Sequence, residues 1–373
     1  MTRILFLLDN ISEGGAEKVL RTLVNNMDQS QFQITVQTVA QADAAAYLVP
    51  GIRYKAINRA KTPVGRTLFS YWIRLCAELK WLYPLYIKDD YDIEVAYLEC
   101  GPTKFLSGST NQHSLKLAWV HCDLLKRGFQ PGRRLSAVYS KYDKAVCVSN
   151  TVRNSFMELV GPDPASVVLH NVNDETDILS KAEAFPSPVT NAFTFLFVGR
   201  LSHEKGADRL LEACGKLKES GKHFQVQILG DGSLRDELEA QATDLGLQDT
   251  VLFLGFRDNP YPYMKAADCI VCTSRYEGFS TVVTEALILG KPVITTPCSG
   301  MDELLGDSEY GLITGHSADE ISTAMARFLD DPQLCSQYAH AAKQRGTFFS
   351  KDAILESTQQ FFLSELKKKR GST

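Results

Sequence analysis

Short apolar runs, each followed by a stretch of helical period, recur along the whole chain, and this restricts its fold more than any other feature. A strand covered on both faces reads as a continuous apolar run, and parallel sheets with helices on each side bury their strands in that way. In the first half the runs are "RILFLLD" (3–9), "QITVQTV" (33–39), "IRYKAI" (52–57), "DIEVAYL" (92–98), "LKLAWV" (115–120), "DKAVCVS" (143–149) and "SVVLH" (166–170). The pattern then lapses into a polar, proline-bearing stretch with the composition of a linker, residues 173–191. A second series follows: "AFTFLFVG" (192–199), "FQVQILG" (224–230), "TVLFLG" (250–255), "DCIVCTS" (268–274), "KPVITTP" (291–297) and "YGLIT" (310–314). The expected class is α/β, with two doubly wound, Rossmann-like domains over residues 1–172 and 192–349 and a cleft between them. Residues from about 350 to 373 are helical by period and are expected to pack back on the first domain.

A length of 373 residues suits two domains rather than one core. With 44% apolar and 23% charged residues the composition is that of a soluble globular protein, and a net charge of −4 argues against bulk nucleic-acid binding. Nine cysteines, an odd number spread over a long chain, point to reduced thiols and a cytoplasmic setting. Cys269 and Cys272 form a C-x-x-C, but inside a strand pattern and without a second pair, so no metal is expected. The opening "MTRILFLLDN" has an early aspartate and reads as a first strand rather than a signal peptide. Asp90-Tyr91-Asp92 sits just before a strand and reads as a turn.

In such sheets ligands bind where strands end and loops open into helices. Three of these loops are informative. "DNISEGGAEKVL" has Gly14 and Gly15 for a tight turn, yet matches neither G-x-G-x-x-G nor G-x-x-x-x-G-K-[ST]. In "VGRLSHEKG" Arg200 and Lys205 bracket a turn; they suit a diphosphate, or with Glu204 a solvated salt-bridge cluster. In "ILGDGSLRDEL" the glycines Gly230 and Gly232 either approach a ligand or make a simple turn. A further stretch, "SRYEGFSTVVTEALILG", places Glu277 on a loop and Glu285 inside a short helix, with Ser280 as a good N-cap between them.

Together, "GGAEKVL", "VGRLSHEKG", "LGDGSLRDEL", "VLFLGFRDN" and "SRYEGFSTVVTEALILGKPVITT" make the chain resemble the retaining glycosyltransferases of family 4, the group 1 glycosyltransferases of GT-B fold. The last stretch is that family's Glu-x7-Glu motif and the most specific of the five. The resemblance implies a nucleotide-sugar donor, most readily a UDP-hexose or UDP-N-acetylhexosamine, bound by the second domain without metal or other cofactor. A glycan or lipid-linked glycan acceptor is implied for the first domain, with transfer that retains the anomeric configuration.

By the same resemblance, Arg200 and Lys205 would grip the diphosphate and stabilise charge on the leaving group. Glu277 would face the transferred sugar, and Glu285 would take the ribose hydroxyls. The backbone of Gly278, Phe279, Ser280 and Thr281 would cradle sugar and phosphate, with Gly230 nearby. Phe256 and Arg257 would hold the base, and Gly15 would lie close to the diphosphate. His121, ending a strand, is placed against the donor sugar, its alternative being a structural histidine. Glu99, Thr103 and Lys104 would touch the acceptor or simply begin a helix. "HNVND" (170–174) resembles the family's hinge turn but has Val172 where proline is common. A paired-carboxylate hydrolase is disfavoured, because Glu285 falls a turn or more into a helix.

Residues 65–88 form an aromatic-rich helical pattern with Arg66, Arg74, Lys80 and Lys88, suited to a membrane-facing helix or to a core helix. Lys126-Arg127, Arg133-Arg134 and "KKKR" (Lys367 to Arg370) add basic character suited to peripheral contact with the inner face of a membrane, the alternative for "KKKR" being a solvated helix end. The competing readings are a nucleotide-sugar epimerase of the same fold and an inactive sugar- or partner-binding relative.

Overall fold

The computed structural model describes residues 1–11, 14–58, 82–186 and 191–371. The chain divides into two compact units, Met1–Val172 with Asp352–Thr373, and Asn173–Lys351. Each is built on a parallel sheet, and all thirteen apolar runs of the sequence form its strands.

In the first unit the strands are β1 (Thr2–Leu8), β2 (Phe32–Ala40), β3 (Arg53–Asn58), β4 (Ile93–Ala96), β5 (Leu115–Val120), β6 (Lys144–Cys147) and β7 (Ala165–Val168), ordered β3-β2-β1-β4-β5-β6-β7. In the second they are β8 (Thr194–Val198), β9 (Gln225–Leu229), β10 (Val251–Gly255), β11 (Cys269–Cys272), β12 (Val293–Thr295) and β13 (Leu312–Ile313), ordered β10-β9-β8-β11-β12-β13. Strand order reverses beside β1 in one sheet and beside β8 in the other, so the loops after β1, β4, β8 and β11 flank the two switch points. Several apolar runs outlast their strands: "DCIVCTS" continues to Ser274 although the ladder stops at Cys272. Thr273 and Ser274 are each 1% exposed, so the run stays buried beyond the ladder.

The same lock starts several strands. Asp92, Asp143 and Asp268 each stand one residue before a strand. Each accepts the backbone N–H of the neighbouring strand: Arg3 at 2.7 Å, Lys116 at 2.7 Å and Thr194 at 2.8 Å. These carboxylates satisfy edge amides that would otherwise go unpaired, at the sheet end remote from the ligand loops. Asp92 of the Asp90-Tyr91-Asp92 triplet is thereby occupied.

Part of the stretch read as a linker is ordered differently. Helix Glu175–Ala182 begins at Asp174, whose side chain accepts the Asp177 N–H at 3.1 Å, and it buries Ile178 and Ala182 within the second unit. Two apolar positions four apart are too few to reveal a helix by periodicity.

The last helix, Lys351–Gly371, contributes its residues from Asp352 on to the first unit. Phe362 is fully buried there, with ring centroids 6.2 Å from Phe6, 6.4 Å from Phe32 and 6.3 Å from Trp119. Its basic end is paired: Lys369 with Asp143 at 2.7 Å, and Arg370 with Asp92. Of the aromatic-rich pattern at 65–88, residues 65–81 lie outside the described residues; a short helix, Leu82–Tyr86, follows with Leu82 and Tyr83 buried. Among the described residues no helix is long and apolar enough to cross a membrane.

Candidate functional site

The C-terminal ends of β8 and β11 carry the densest polar chemistry of the second unit. After β8 the chain runs through Arg200 into a single 3-10 turn, His203–Lys205, and enters a helix at Ala207. Gly206 makes that entry possible. Its φ is +65°, and a side chain there would overlap the Thr273 carbonyl oxygen. Gly230, with φ +146°, lets the loop after β9 lie directly on the Gly199 carbonyl in the same way.

At the centre of this edge the Lys205 ammonium lies 2.6 Å from Glu277 Oε1, and the Ser274 hydroxyl donates to the same oxygen at 2.7 Å. The two charged side chains are 26% and 12% exposed, enough for both to reach a ligand. Burial pulls the Lys205 ammonium toward deprotonation, but the Glu277 carboxylate outweighs it and holds the pKa above the ordinary lysine value. The Lys205 ammonium is therefore held as a cation at neutral pH, against the Glu277 carboxylate. Arg200 is exposed, and among the described residues no protein group pairs with its guanidinium.

Gly278, Phe279 and Ser280 are buried immediately beyond, and Phe279 packs edge-on against Phe349 at 6.0 Å. Ser280 caps the helix Thr281–Ile288, its hydroxyl accepting the Val283 N–H at 3.4 Å. Glu285, 3% exposed in the second turn of that helix, accepts a long hydrogen bond from the Tyr261 hydroxyl at 3.4 Å. Phe256 and Arg257 follow β10 and are exposed, Phe256 at 63%. Cys269 and Cys272 are buried free thiols within β11.

In the first unit Gly15, exposed, opens the helix Gly15–Asn26. His121 follows β5, its ring centroid 4.6 Å from Tyr97 and its plane at 13° to that of Trp119. Burial lowers the imidazole pKa to about 3, so it is neutral at physiological pH. The His121 Nε2, Tyr97 hydroxyl and Trp119 Nε1 atoms are all buried without a hydrogen-bond partner among the described residues.

Two residues expected at the acceptor are instead built into the scaffold. The Glu99 carboxylate, 8% exposed, accepts the backbone N–H groups of His121 and, at 2.9 Å, Cys122. Burial raises its pKa despite those bonds. Thr103, 2% exposed, donates its hydroxyl to the Leu98 carbonyl at 2.8 Å. Both side chains are buried and bonded to backbone groups of the first unit. Lys104, half-buried in the helix Gly101–Leu106, stays on the surface of that element.

Sequence reading missed Ser274, whose hydroxyl orients Glu277; a serine three residues before the carboxylate, at the end of an apolar run, is its only signal. It also missed the fork between Arg275 and Asp208, with Arg275 NH1 2.8 Å from Asp208 Oδ1 and NH2 against Oδ2.

Residues 180–345, which contain this edge, match the family model of glycosyl transferases group 1. Over 97% of this chain and all of its own length, a Campylobacter jejuni protein is 26% identical: N-acetylgalactosamine-N,N'-diacetylbacillosaminyl-diphospho-undecaprenol 4-alpha-N-acetylgalactosaminyltransferase. The alpha-D-kanosaminyltransferase of Streptomyces kanamyceticus is 33% identical over 39% of each chain. Among solved structures, Anabaena HepE in complex with UDP-glucose superposes with a TM-score of 0.75 at 22% identity, covering 98% of this chain and all of that one. Sucrose-phosphate synthase from Thermosynechococcus elongatus gives 0.79 at 17% identity, covering 99% and 100%.

Proposed function

We propose that this group 1 glycosyltransferase of GT-B fold moves a hexose or N-acetylhexosamine from a UDP-linked donor to a lipid-linked glycan, with retention and without a metal ion. The observation that carries the reading is the Lys205–Glu277 pair at 2.6 Å, with the exposed Arg200 on the same loop, at the ligand edge of the second sheet. Two cations at such an edge suit a diphosphate, and they supply the positive charge that a divalent ion would otherwise bring. The HepE complex with UDP-glucose supports a uridine donor. The activity named for the Campylobacter relative supports a diphosphate-linked lipid acceptor and an alpha product.

In this reading Lys205 and Arg200 stabilise the charge that grows on the departing diphosphate. Glu277, oriented by Ser274, accepts a hydroxyl of the transferred sugar, and Glu285 accepts the ribose hydroxyls. Glu277 is not the base: its nearest oxygen is occupied by an ammonium and a hydroxyl, and the departing phosphate takes the acceptor proton on the same face. In the first unit His121 is neutral and its Nε2 is buried, which leaves Lys104 as the acceptor contact. The protein would then act at the inner face of a membrane, in the assembly of a surface polysaccharide or glycolipid.

Thermal unfolding with UDP-, GDP- and ADP-sugars in the presence of EDTA tests the donor half. A UDP-sugar at about 100 times its Kd adds about 2.7 kcal/mol of stability and raises the melting temperature of the unit that binds it by several degrees. No shift with any donor overturns the reading. A shift that appears only when Mg²⁺ is restored overturns its metal-free part.

A further inference from the structure

The turn that carries Lys205 is one residue long on either side of Glu204 and makes little structure of its own; its internal bond is the Lys205 N–H to the Ser202 carbonyl, 3.0 Å. What holds it comes from the loop after β11. The Arg275 N–H donates to the Glu204 carbonyl at 2.7 Å, and Arg275 NH1 donates to the His203 carbonyl at 2.7 Å. The same guanidinium forks onto both carboxylate oxygens of Asp208, the second residue of the helix that follows the turn. The Thr273 hydroxyl closes the bracket on the Gly206 carbonyl at 2.8 Å. Backbone groups before and after Lys205 are thus tied to one neighbouring loop, the loop that also carries Glu277.

A bidentate fork fixes direction as well as distance, which a lysine at the same position cannot do. The side chains of Arg275 and Asp208 are 18% and 32% exposed, partly withdrawn from solvent, unlike a loose surface pair. A cation held in place before its ligand arrives loses less freedom on binding, and a displacement of about 1 Å in such a group can cost two orders of magnitude in rate.

We propose that Arg275 is a positioning residue: with Asp208 it sets the His203–Lys205 turn so that the Lys205 ammonium meets the diphosphate of the donor. The inference rests on the donor-site reading above. It concerns the departing nucleoside diphosphate, so the sugar-free nucleotide is a sufficient probe.

The test is a double-mutant cycle read by calorimetric titration with UDP, with GDP and ADP in parallel, on wild type, Arg275→Ala, Arg275→Lys, Lys205→Ala and Arg275→Ala/Lys205→Ala. Arg275→Ala is expected to weaken UDP binding about tenfold, and Arg275→Lys nearly as much although it keeps the charge. In the Lys205→Ala background the same change is expected to matter less than about twofold, because the group being positioned is gone. Equal losses in both backgrounds, or wild-type affinity in Arg275→Ala, overturn the inference. If Lys205→Ala weakens UDP and Arg275→Ala does not, the donor site stands and only the positioning role falls. If wild type binds none of the three nucleotides, both fall together. Arg275→Lys keeps the comparison decisive should the alanine variant fail to fold.

Discussion

Lys205 and Glu277 meet at 2.6 Å across 72 residues of chain; each orients the other, and the carboxylate keeps the lysine charged. Removing one cation that faces developing charge typically costs 10²–10³ in turnover. Lys205→Ala is therefore expected to lose about that factor in transfer, with a melting temperature close to wild type, because Ser274 still satisfies Glu277. Full turnover in the variant would contradict the role. His121 makes a separate, pH-dependent prediction. Its pKa is depressed from 6.5 to about 3 by burial, so between those values the unfolded chain binds a proton that the folded one refuses. Its contribution to stability is thus full above pH 6.5 and is lost as pH falls toward 3. His121→Phe, which keeps the ring against Tyr97 and Trp119, should flatten the loss of stability between pH 7.5 and 4.5 in urea titrations. An unchanged slope would mean that the imidazole is not kept neutral. The placement of Arg200, Lys205, Glu277 and Glu285 at the C-terminal edge of the second sheet was legible because each belongs to a short run of sequence that follows a strand. Asp208 and Arg275 were not, because their meaning lies in a contact across 67 residues. Glu99 and Thr103 stayed ambiguous for a related reason: a polar residue just after a strand reads the same whether it faces a ligand or a backbone group, and here both bond backbone.

Among elements, every strand announced itself, since a strand buried on two faces must be apolar along its length. The ends were less legible. Thr273 and Ser274 are buried beyond the last ladder pair, with their hydroxyls bonded to the Gly206 carbonyl and Glu277, so the run overshoots the ladder into the loop that builds the site. The helix Glu175–Ala182 stayed hidden because its start depends on one side-chain cap and its burial on two residues. The aspartate locks are the elements' most testable feature. Asp268→Ala leaves the Thr194 N–H without its charged partner and is expected to cost about 1.5–3 kcal/mol in urea unfolding, while UDP affinity at the far end of the sheet stays within about twofold. A neutral result would show that solvent or a neighbouring carbonyl replaces the carboxylate. Gly206→Ala should do the reverse. The added methyl strikes the Thr273 carbonyl and displaces the turn, so donor affinity should fall more than stability.

At the scale of the whole molecule, one unit is continuous in sequence and the other is not. The first is completed by residues from Asp352 on, and its core is sealed by Phe362. Phe362→Ala is expected to destabilise that unit by about 3–5 kcal/mol, with an early transition in urea, while UDP continues to protect the second unit. A single transition shifted as a whole would show instead that the two units unfold together. The same discontinuity has a consequence during synthesis. The second unit, Asn173–Lys351, can close as soon as it leaves the ribosome, but the first must wait for all of it to be made. At about 5–20 residues per second that delay is roughly 10 to 35 s, during which Phe6, Phe32 and Trp119 lack their cover. A nascent chain stalled at Lys351 should therefore carry a protease-resistant second half and a sensitive first half. The part of the chain translated first is the last to become safe from misfolding partners and proteases.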